Sequence, residues 1–244
     1  MVGRNHVQVR LSGSGRIERR FKSDGGDPAE VGAYFADALD WDALWDALPW
    51  RSDPHLKTCM DAFPGLRILR QPFGETLFSF LCSTAKQIVQ IKQCCCEVAR
   101  RLGEDLGCGT HAWPGWVVLA EAGEGILREC RLGYRARYVS EVARILAGQS
   151  DFEERLEVLD YPQAKGMLME LPGVGAKVAD CVLLFGAGRL EAFPVDTWVA
   201  KVMTRVYGLE GWSAVQIAQF GRAHFGSAAG VAQQFLFAYE RRNP

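Results

Sequence analysis

One stretch near the start of the chain alternates between polar and apolar side chains. The segment 6–11 shows this alternation, and a second short segment, 16–21, follows Ser-Gly-Ser-Gly at 12–15. A period of two is typical of a strand with one buried face, and glycines between two short strands favour a tight turn. We therefore predict a β-hairpin over residues 6–21, which the turn-forming residues at 23–26 should end.

After this hairpin the apolar residues follow a helical pattern to the end of the chain. Asp27 and Pro28 have the chemistry of an N-cap and a first-turn proline, and they predict a helix to about Leu39. Further helices are predicted over residues 41–48, 53–63, 74–83, 86–102, 115–122, 123–131, 134–147, 151–157, 161–170, 176–186, 196–207, 213–225 and 227–242. The predicted fold class is mainly α, with a small β piece at the start.

The composition suits one large domain or two modest lobes. The chain has 244 residues, of which 48% are hydrophobic and 23% are charged, as is ordinary for a globular protein. We expect no membrane span, because no stretch of about 18 residues is uncharged and apolar. Residues 1–10 lack the apolar core of a signal peptide, so we expect the protein to stay in the cytosol. The net charge of −1 argues against a nonspecific DNA coater but allows one basic face.

The cysteines give little support to a metal site. There are eight of them, no two form a C-x-x-C pair, and the last is Cys181, so neither zinc nor an iron–sulfur cluster is expected. Cys94, Cys95 and Cys96 point in different directions on one helix and do not suit a disulfide framework. We expect reduced thiols and no cofactor.

The most informative segment is Leu-Pro-Gly-Val-Gly at 171–175, because it predicts a tight turn between two helices. Gly173 and Gly175 should supply backbone conformations that a β-carbon opposes. A new helix should then begin near Ala176. The N–H groups at such a helix start, with the helix dipole behind them, favour an anion such as a nucleic-acid phosphate. A plain corner between two helices is the alternative, since Pro-Gly turns are common.

Two residues after this turn are candidates for catalysis. Lys177 lies in the first turn of the new helix, where the dipole disfavours its charge and would lower its pKa, leaving an amine for attack. Asp196 follows nineteen residues later, after an apolar stretch stiffened by Pro194. The alternatives are a surface lysine that contacts phosphate and an aspartate that caps a helix, and Asp196 could cap and catalyse at once.

The segment from Leu171 to Val199 resembles the helix-hairpin-helix glycosylases with a Gly-Pro-Asp loop (HhH-GPD), most closely the 8-oxoguanine DNA glycosylase branch. Further segments resemble the N-lobe signature, the wedge segment and the C-terminal pocket helix of that branch. They are Leu66 to Gln71, Leu77 to Ser83, Leu132 to Val139 and Gly230 to Phe237. The resemblance covers roughly residues 50–244, and its motifs recur in order.

The resemblance implies a bifunctional glycosylase and lyase of base excision repair. Lys177 would attack the sugar C1′ and form a Schiff base, after which β-elimination would nick the strand 3′ to the lesion. Asp196 would stabilise the positive charge that develops on the sugar. The damaged base has to leave the helix stack, with Tyr134 as a wedge and Arg135 as the reader of the orphaned partner base. The hairpin residues that would contact DNA are Gly173, Val174 and Gly175.

The resemblance also implies a pocket for the flipped base. Cys181 lies one helical turn after Lys177 and would form part of the pocket wall. Gln233 and Phe237 would hydrogen-bond to the base and stack on it, and their spacing lets both face one cavity. Trp198 would belong to the same pocket, at a position where some family members carry histidine. Taken alone, Cys181 and Phe237 are better explained as ordinary core residues.

Three departures from the family pattern change the expected specificity. Ala85 replaces an asparagine that fills the vacated base position, and Gln90 replaces a second cationic reader of the partner base. We therefore expect Gln90 to contact DNA, and discrimination of the opposite base to be weaker than in strict cytosine readers. Trp198 can stack but cannot titrate like histidine. The N-terminal lobe is short, so either the start is truncated or the enzyme reads its base differently.

We expect a short, truncated N-terminal β/α lobe at 1–50 and an HhH-GPD catalytic body at 51–244, with two helical lobes and the active site between them. The expected partner is double-stranded DNA with a damaged base, bound by a monomer in the cytoplasm, at the nucleoid of a prokaryote or in the nucleus of a eukaryote. A cation at the hairpin carbonyls is left open. The alternatives are a glycosylase for another damaged base and a noncatalytic DNA-binding module. The intact Lys177 and Asp196 argue against the second.

Overall fold

The computed structural model describes residues 7–11, 17–21, 27–84, 86–107 and 109–243. In these ranges two strands, β1 (Val7–Leu11) and β2 (Ile17–Phe21), precede thirteen α-helices. The helices are α1 (Pro28–Tyr34), α2 (Trp41–Asp46), α3 (Pro54–Ala62), α4 (Phe73–Leu81), α5 (Ile88–Leu102), α6 (Trp116–Leu127), α7 (Arg135–Ala147), α8 (Phe152–Val158), α9 (Tyr161–Met169), α10 (Ala176–Phe185), α11 (Thr197–Tyr207), α12 (Ala214–Phe225) and α13 (Ala229–Arg242). The prediction of a mainly helical fold is confirmed.

The two strands pair antiparallel in the register Val7 opposite Phe21 and Leu11 opposite Ile17. The turn that we predicted at 12–15, between these strands, lies outside the described residues. None of the helices in the described ranges is long and apolar enough to cross a membrane.

One helix ends earlier than the sequence predicts, and one predicted boundary appears as a kink. The helix expected to run to Leu39 ends at Tyr34, because Ala36 has a φ of 51° in the left-handed region, where an L-residue interrupts a right-handed helix. The boundary expected between residues 122 and 123 coincides with a kink within α6, where Gly123 has a φ of 69° and breaks the helical backbone. A π-helical turn, Arg128–Leu132, then continues the chain toward α7.

The chain divides into two compact units. The first unit contains residues 1–38 and 82–148, and the second contains residues 39–81 and 149–244. The boundary that we expected at residue 50 does not coincide with this division, because each unit is assembled from two separate stretches of sequence. A single cut in the chain therefore cannot separate them.

Each unit has its own apolar core. In the first unit α6 packs along α7, and the side chains of Leu119, Leu127 and Val139 are fully buried there. In the second unit α10 packs on α4 and on α9, with Leu183 and Phe78 fully buried. Burial of such side chains stabilises each unit by about 2 kcal/mol per residue before the entropy of folding is subtracted.

Candidate active site

The Leu-Pro-Gly-Val-Gly segment forms the turn of a hairpin between α9 and α10. α9 begins with a capping box, in which Asp160 accepts a hydrogen bond from the Gln163 N–H at 2.9 Å. In the turn, Gly173 has a φ of 81°, in the left-handed region that favours glycine. The Val174 N–H donates to the Leu171 carbonyl at 3.1 Å, which closes the turn.

Gly175 is the N-cap of α10, and the expectation that its backbone conformation requires glycine is wrong. Its φ of −92° and ψ of 177° are extended, and an added β-carbon would meet no atom within 4 Å. No side-chain hydrogen bond caps this helix start, which suits an external anion. The Val174 side chain is buried, so only its backbone can serve such a site.

A buried ionic network joins the two helices of the hairpin, and the sequence reasoning missed it. Asp180 on α10 is 2% exposed and accepts hydrogen bonds from the Lys165 ammonium at 2.8 Å and from the Tyr161 hydroxyl. Burial raises the pKa of Asp180, although Lys165 and Tyr161 oppose the shift. The sequence did offer a signal: a carboxylate inside an otherwise apolar helix. On the preceding helix, a Tyr and a Lys stand four residues apart.

A cavity of about 180 Å³ lies next to α10 in the second unit. It brings together five of the six catalytic and base-pocket residues that were predicted from the sequence. Its lining residues are Phe80, Lys177, Cys181, Phe185, Pro194, Asp196, Gln233, Gln234 and Phe237. The cavity therefore combines an amine, a carboxylate, two amides and three aromatic rings.

Lys177 is half-buried, and its ammonium faces aromatic and sulfur groups. The Nζ atom lies 5.1 Å from the centre of the Phe80 ring, and Phe80 itself stacks on Phe185, with 5.6 Å between ring centres. Lys177 is also hydrogen-bonded to the Cys181 side chain. Burial raises the pKa of Cys181 to about 12, although Lys177 opposes the shift, so the thiol stays protonated beside the amine.

Asp196 caps α11 and lines the cavity at the same time. Its Oδ1 accepts a hydrogen bond from the Val199 N–H at 2.8 Å, which accounts for the helix start predicted at 196. The preceding Pro194 and Val195 are buried, so the stretch before the carboxylate is fixed by packing. One oxygen is thus committed to the cap, and the carboxylate keeps its place in the cavity lining.

The two predicted base readers on α13 are already held in place. The Gln233 amide is 3% exposed, donates to the Pro194 carbonyl at 3.1 Å and accepts from the Gln234 side chain at 2.6 Å. Phe237 is half-buried, one helical turn further along. α13 is in turn anchored by Glu240, whose fully buried carboxylate pairs with Arg205 of α11.

Trp198 is not part of the lining of this cavity. It is half-buried, and the Lys201 ammonium lies 5.6 Å from the centre of its ring. Trp198 lies in the first turn of α11, two residues after Asp196. Side chains two residues apart on a helix point in different directions, so Trp198 does not face the same way as Asp196. Sequence reasoning missed Phe80 and Gln234, although Phe80 lies within the N-lobe segment and Gln234 follows a predicted reader.

The predicted wedge and reader residues lie in the first unit. Tyr134 is 54% exposed and contacts the Tyr138 ring edge-on. Arg135 is only 6% exposed, and its guanidinium lies 4.4 Å from the centre of the Tyr134 ring. The Arg135 side chain is thus held against the ring of the exposed Tyr134. It has to leave this position before it can contact a base.

Gln90 has a local structural role that the sequence reasoning did not foresee. It is exposed at the start of α5, and its Oε1 accepts a hydrogen bond from the Gln87 N–H at 2.9 Å, as part of a capping box. The cap uses only the side-chain oxygen, so the side-chain N–H₂ group can still act as a hydrogen-bond donor to DNA. Ala85, the other departure from the family pattern, lies outside the described residues.

Three features together define a class of DNA repair protein: the hairpin, the lysine at the start of its second helix, and the helix capped by an aspartate. The family described as "HhH-GPD superfamily base excision DNA repair protein" matches residues 82–222, which is more than half of the chain. The chain belongs to this family.

Several relatives are similar over most of the chain. The "Probable N-glycosylase/DNA lyase" of Methanothermobacter thermautotrophicus is 32% identical, over 81% of this chain and 70% of that protein. "N-glycosylase/DNA lyase OGG1" of Arabidopsis thaliana is 31% identical, over 81% of this chain but only 58% of its own length. The crystal structure of Clostridium acetobutylicum 8-oxoguanine glycosylase/lyase, in complex with dsDNA containing cytosine opposite 8-oxoG, is 33% identical, with a TM-score of 0.89. The match covers 97% of this chain and 82% of the clostridial chain.

Proposed function

We propose that the protein is a bifunctional DNA glycosylase and AP lyase that removes 8-oxoguanine from double-stranded DNA. One observation carries the proposal: Lys177, Asp196 and Gln233 line a single cavity together with Phe237. The volume of that cavity, about 180 Å³, suits one nucleobase rather than a stretch of DNA. The relatives named N-glycosylase/DNA lyase, and the clostridial enzyme bound to 8-oxoguanine DNA, support the assignment.

Lys177 acts as the nucleophile. Its neutral amine attacks C1′ of the damaged nucleotide, so that an N–C1′ bond forms while the glycosidic bond breaks and its electron pair leaves with the base. Opening of the sugar ring gives a Schiff base. Loss of a proton from C2′ then expels the 3′ phosphate by β-elimination, which nicks the strand. These steps need an amine and a carboxylate from one chain, and neither a metal nor a second subunit.

Asp196 stabilises the positive charge that develops on the sugar as the base leaves. Its carboxylate is fixed by the bond to the Val199 N–H, so little reorganisation is needed during the reaction. A carboxylate held partly buried in the cavity lining interacts with a cationic sugar more strongly than it would in bulk solvent.

The cavity binds the flipped base between an amide and an aromatic ring. Phe237 stacks on the base and Gln233 hydrogen-bonds to its edge. Because the Gln233 side chain is held by Pro194 and Gln234, the direction of its remaining hydrogen-bonding capacity is set before the base enters. The Cys181 thiol, kept protonated by burial, forms the wall next to the amine.

The hairpin turn and the first unit bind the DNA itself. The N–H groups at the start of α10, beside Gly173 and Gly175, hold a backbone phosphate. Tyr134 wedges into the stack, and Arg135 reads the orphaned base after leaving its position against the tyrosine ring, with Gln90 as a weaker second reader. A cation at the hairpin carbonyls is compatible with this arrangement. We also propose that the paired strands β1 and β2 belong to a small N-terminal β lobe of the glycosylase fold.

Borohydride trapping tests this function directly. Wild-type protein, incubated with a duplex that holds 8-oxoguanine opposite cytosine and then reduced, should form a covalent protein–DNA complex. Lys177→Gln should form none and should excise no base, while duplex binding survives because the hairpin is intact. Lys57→Gln, at an exposed lysine that pairs with Asp61, is the matched control and should trap normally. Trapping by the Lys177 variant at the wild-type level would exclude it as the nucleophile.

A further inference from the structure

The cavity contains a second amide side chain to which the proposed function assigns no contact with the base. Gln234 follows Gln233 on α13, is half-buried, and lines the same cavity as Lys177 and Asp196. Its Nε2 donates a hydrogen bond to the Gln233 Oε1 at 2.6 Å. The two neighbouring amides therefore form one connected row of hydrogen-bonding groups in the lining of the cavity.

A backbone carbonyl sets the direction of both amides. The Gln233 Nε2 donates to the Pro194 carbonyl at 3.1 Å, and a carbonyl oxygen can only accept a hydrogen bond. The Gln233 nitrogen therefore has to face Pro194, and the Gln233 oxygen faces Gln234. Since that oxygen also only accepts, Gln234 has to present its N–H₂ group to it. Pro194 and Gln233 are buried, so this order is fixed before a base enters.

Hydrogen-bonding capacity remains on both amides after these bonds are made. An amide nitrogen has two N–H donors and an amide oxygen has two acceptor sites, so Gln233 keeps one donor and one acceptor site. The Gln234 nitrogen already donates to Gln233, and none of the described residues donates to the Gln234 Oε1. Counting from Pro194, the amides offer a base a donor and an acceptor on Gln233 and then the acceptor on Gln234.

A guanine-type base carries the complementary order on its Watson–Crick edge. Its O6 accepts, its N1–H donates, and its exocyclic 2-amino group donates. An adenine-type base reverses the first two positions and has no amino group at the third. The ring of Phe237 and both amides lie on α13 and line one cavity, so a base that stacks on the ring can turn this edge toward the amides.

We propose that Gln234 is a specificity-determining residue, whose side-chain oxygen accepts a hydrogen bond from the 2-amino group of the flipped base. Gln233 holds the two neighbouring positions of the same edge. This inference rests on the proposed function and deepens it, because it makes oxidised purines with a 2-amino group the preferred substrate class. A base without that group leaves the Gln234 oxygen facing a C–H group instead of a donor.

Single-turnover excision of two lesions tests this contact. The lesions are 8-oxoguanine and 8-oxohypoxanthine, which is the same base without the 2-amino group, each placed opposite cytosine. Gln234→Met keeps the length of the side chain but has no amide oxygen. It should lower the excision rate of 8-oxoguanine at least about tenfold more than that of 8-oxohypoxanthine. Comparing variant with wild type on each lesion cancels any difference in the cost of extruding the two bases.

Two further variants separate base reading from support of Gln233. Gln234→Glu keeps an acceptor oxygen but has no N–H to hold the Gln233 oxygen, so it should slow excision of both lesions and keep the preference for 8-oxoguanine. Gln219→Met, at an exposed glutamine of α12, is the matched control and should change neither rate. Equal losses on both lesions in Gln234→Met would overturn the inference alone. Failure of the wild-type protein to excise either lesion would overturn the proposed function and the inference with it.

Discussion

At the scale of single residues, Asp196 joins structure and proposed chemistry most closely. Its carboxylate caps α11 through the Val199 N–H and also lines the cavity that contains Lys177. Asparagine is as good an N-cap as aspartate but carries no charge. The capping role and the electrostatic role can therefore be separated by one conservative substitution.

We predict that Asp196→Asn keeps the free energy of unfolding within about 0.5 kcal/mol of the wild-type value. The same variant should lower single-turnover excision by about two to three orders of magnitude, because the developing sugar cation loses its counter-charge. Asp196→Ala should show the same kinetic loss and also lose about 1 kcal/mol of stability. Urea unfolding and excision kinetics measure the two effects. Wild-type excision by the asparagine variant would exclude the electrostatic role.

At the scale of elements, the hairpin depends on its two glycines for different reasons. Gly173 needs its left-handed backbone, with a φ of 81°, whereas Gly175 is extended and has open space around its α-carbon. A methyl group at Gly173 therefore strains the free protein. A methyl group at Gly175 is harmless until a phosphate approaches.

We predict that Gly173→Ala lowers the free energy of unfolding by about 1–2 kcal/mol, and that Gly175→Ala leaves it unchanged or slightly higher. Gly175→Ala, and more strongly Gly175→Val, should weaken binding to damaged and undamaged duplexes alike, since the added carbons crowd a backbone phosphate. Thermal unfolding and duplex titrations give both readouts. A binding defect confined to the lesion duplex would contradict the phosphate role.

The buried network between α9 and α10 should make hairpin stability depend on pH. The folded-state pKa of Asp180 is raised, mainly by burial, so its contribution favours the folded state at low pH and is lost as pH rises through that raised value. Lys165→Met removes the cation at 2.8 Å, so the ionised carboxylate is left buried with only the weaker electrostatic influence of Arg222.

We predict that Lys165→Met destabilises the protein by about 3 kcal/mol at pH 8 and clearly less at pH 5, where Asp180 is more often protonated. Urea unfolding at the two pH values measures the difference. Lys57→Met removes an exposed lysine of α3, whose bond to Asp61 is open to solvent, and should cost less than about 1 kcal/mol at both values. An equal loss at both pH values for Lys165→Met would contradict the electrostatic account.

At the scale of the whole molecule, the sequence predicted what depends on local chemistry. Helix starts and ends depend on hydrogen bonds between residues close in sequence. The starts at Asp27 and Asp196 and the Pro-Gly turn were therefore placed correctly. Two helical lobes were predicted, but the stretches that make up each unit were not, because their grouping depends on contacts between distant parts of the chain. For the same reason the partners of Asp180 were missed, and Trp198 was assigned to a cavity that it does not line.

The predicted specificity for the partner base follows from Gln90 and Arg135 considered together. Gln90 uses its Oε1 to cap α5, so only its N–H₂ group remains for DNA, and Arg135 has to leave its stack on Tyr134 before it can read a base. Loss of one good hydrogen-bonding reader is worth roughly 1–3 kcal/mol of discrimination. The protein should therefore prefer cytosine opposite 8-oxoguanine only modestly.

We predict that 8-oxoguanine is excised fastest opposite cytosine, but less than about a hundredfold faster than opposite the other bases. Gln90→Arg should sharpen this preference, because a guanidinium offers cytosine's acceptors a fixed pair of donors. Gln90→Glu keeps the acceptor that caps α5 but has no donor, so it should flatten the preference without loss of helix stability. Arg135→Ala should flatten it as well. Single-turnover excision against all four partner bases is the measurement. A wild-type preference well above roughly a thousandfold would show that another residue reads the partner base.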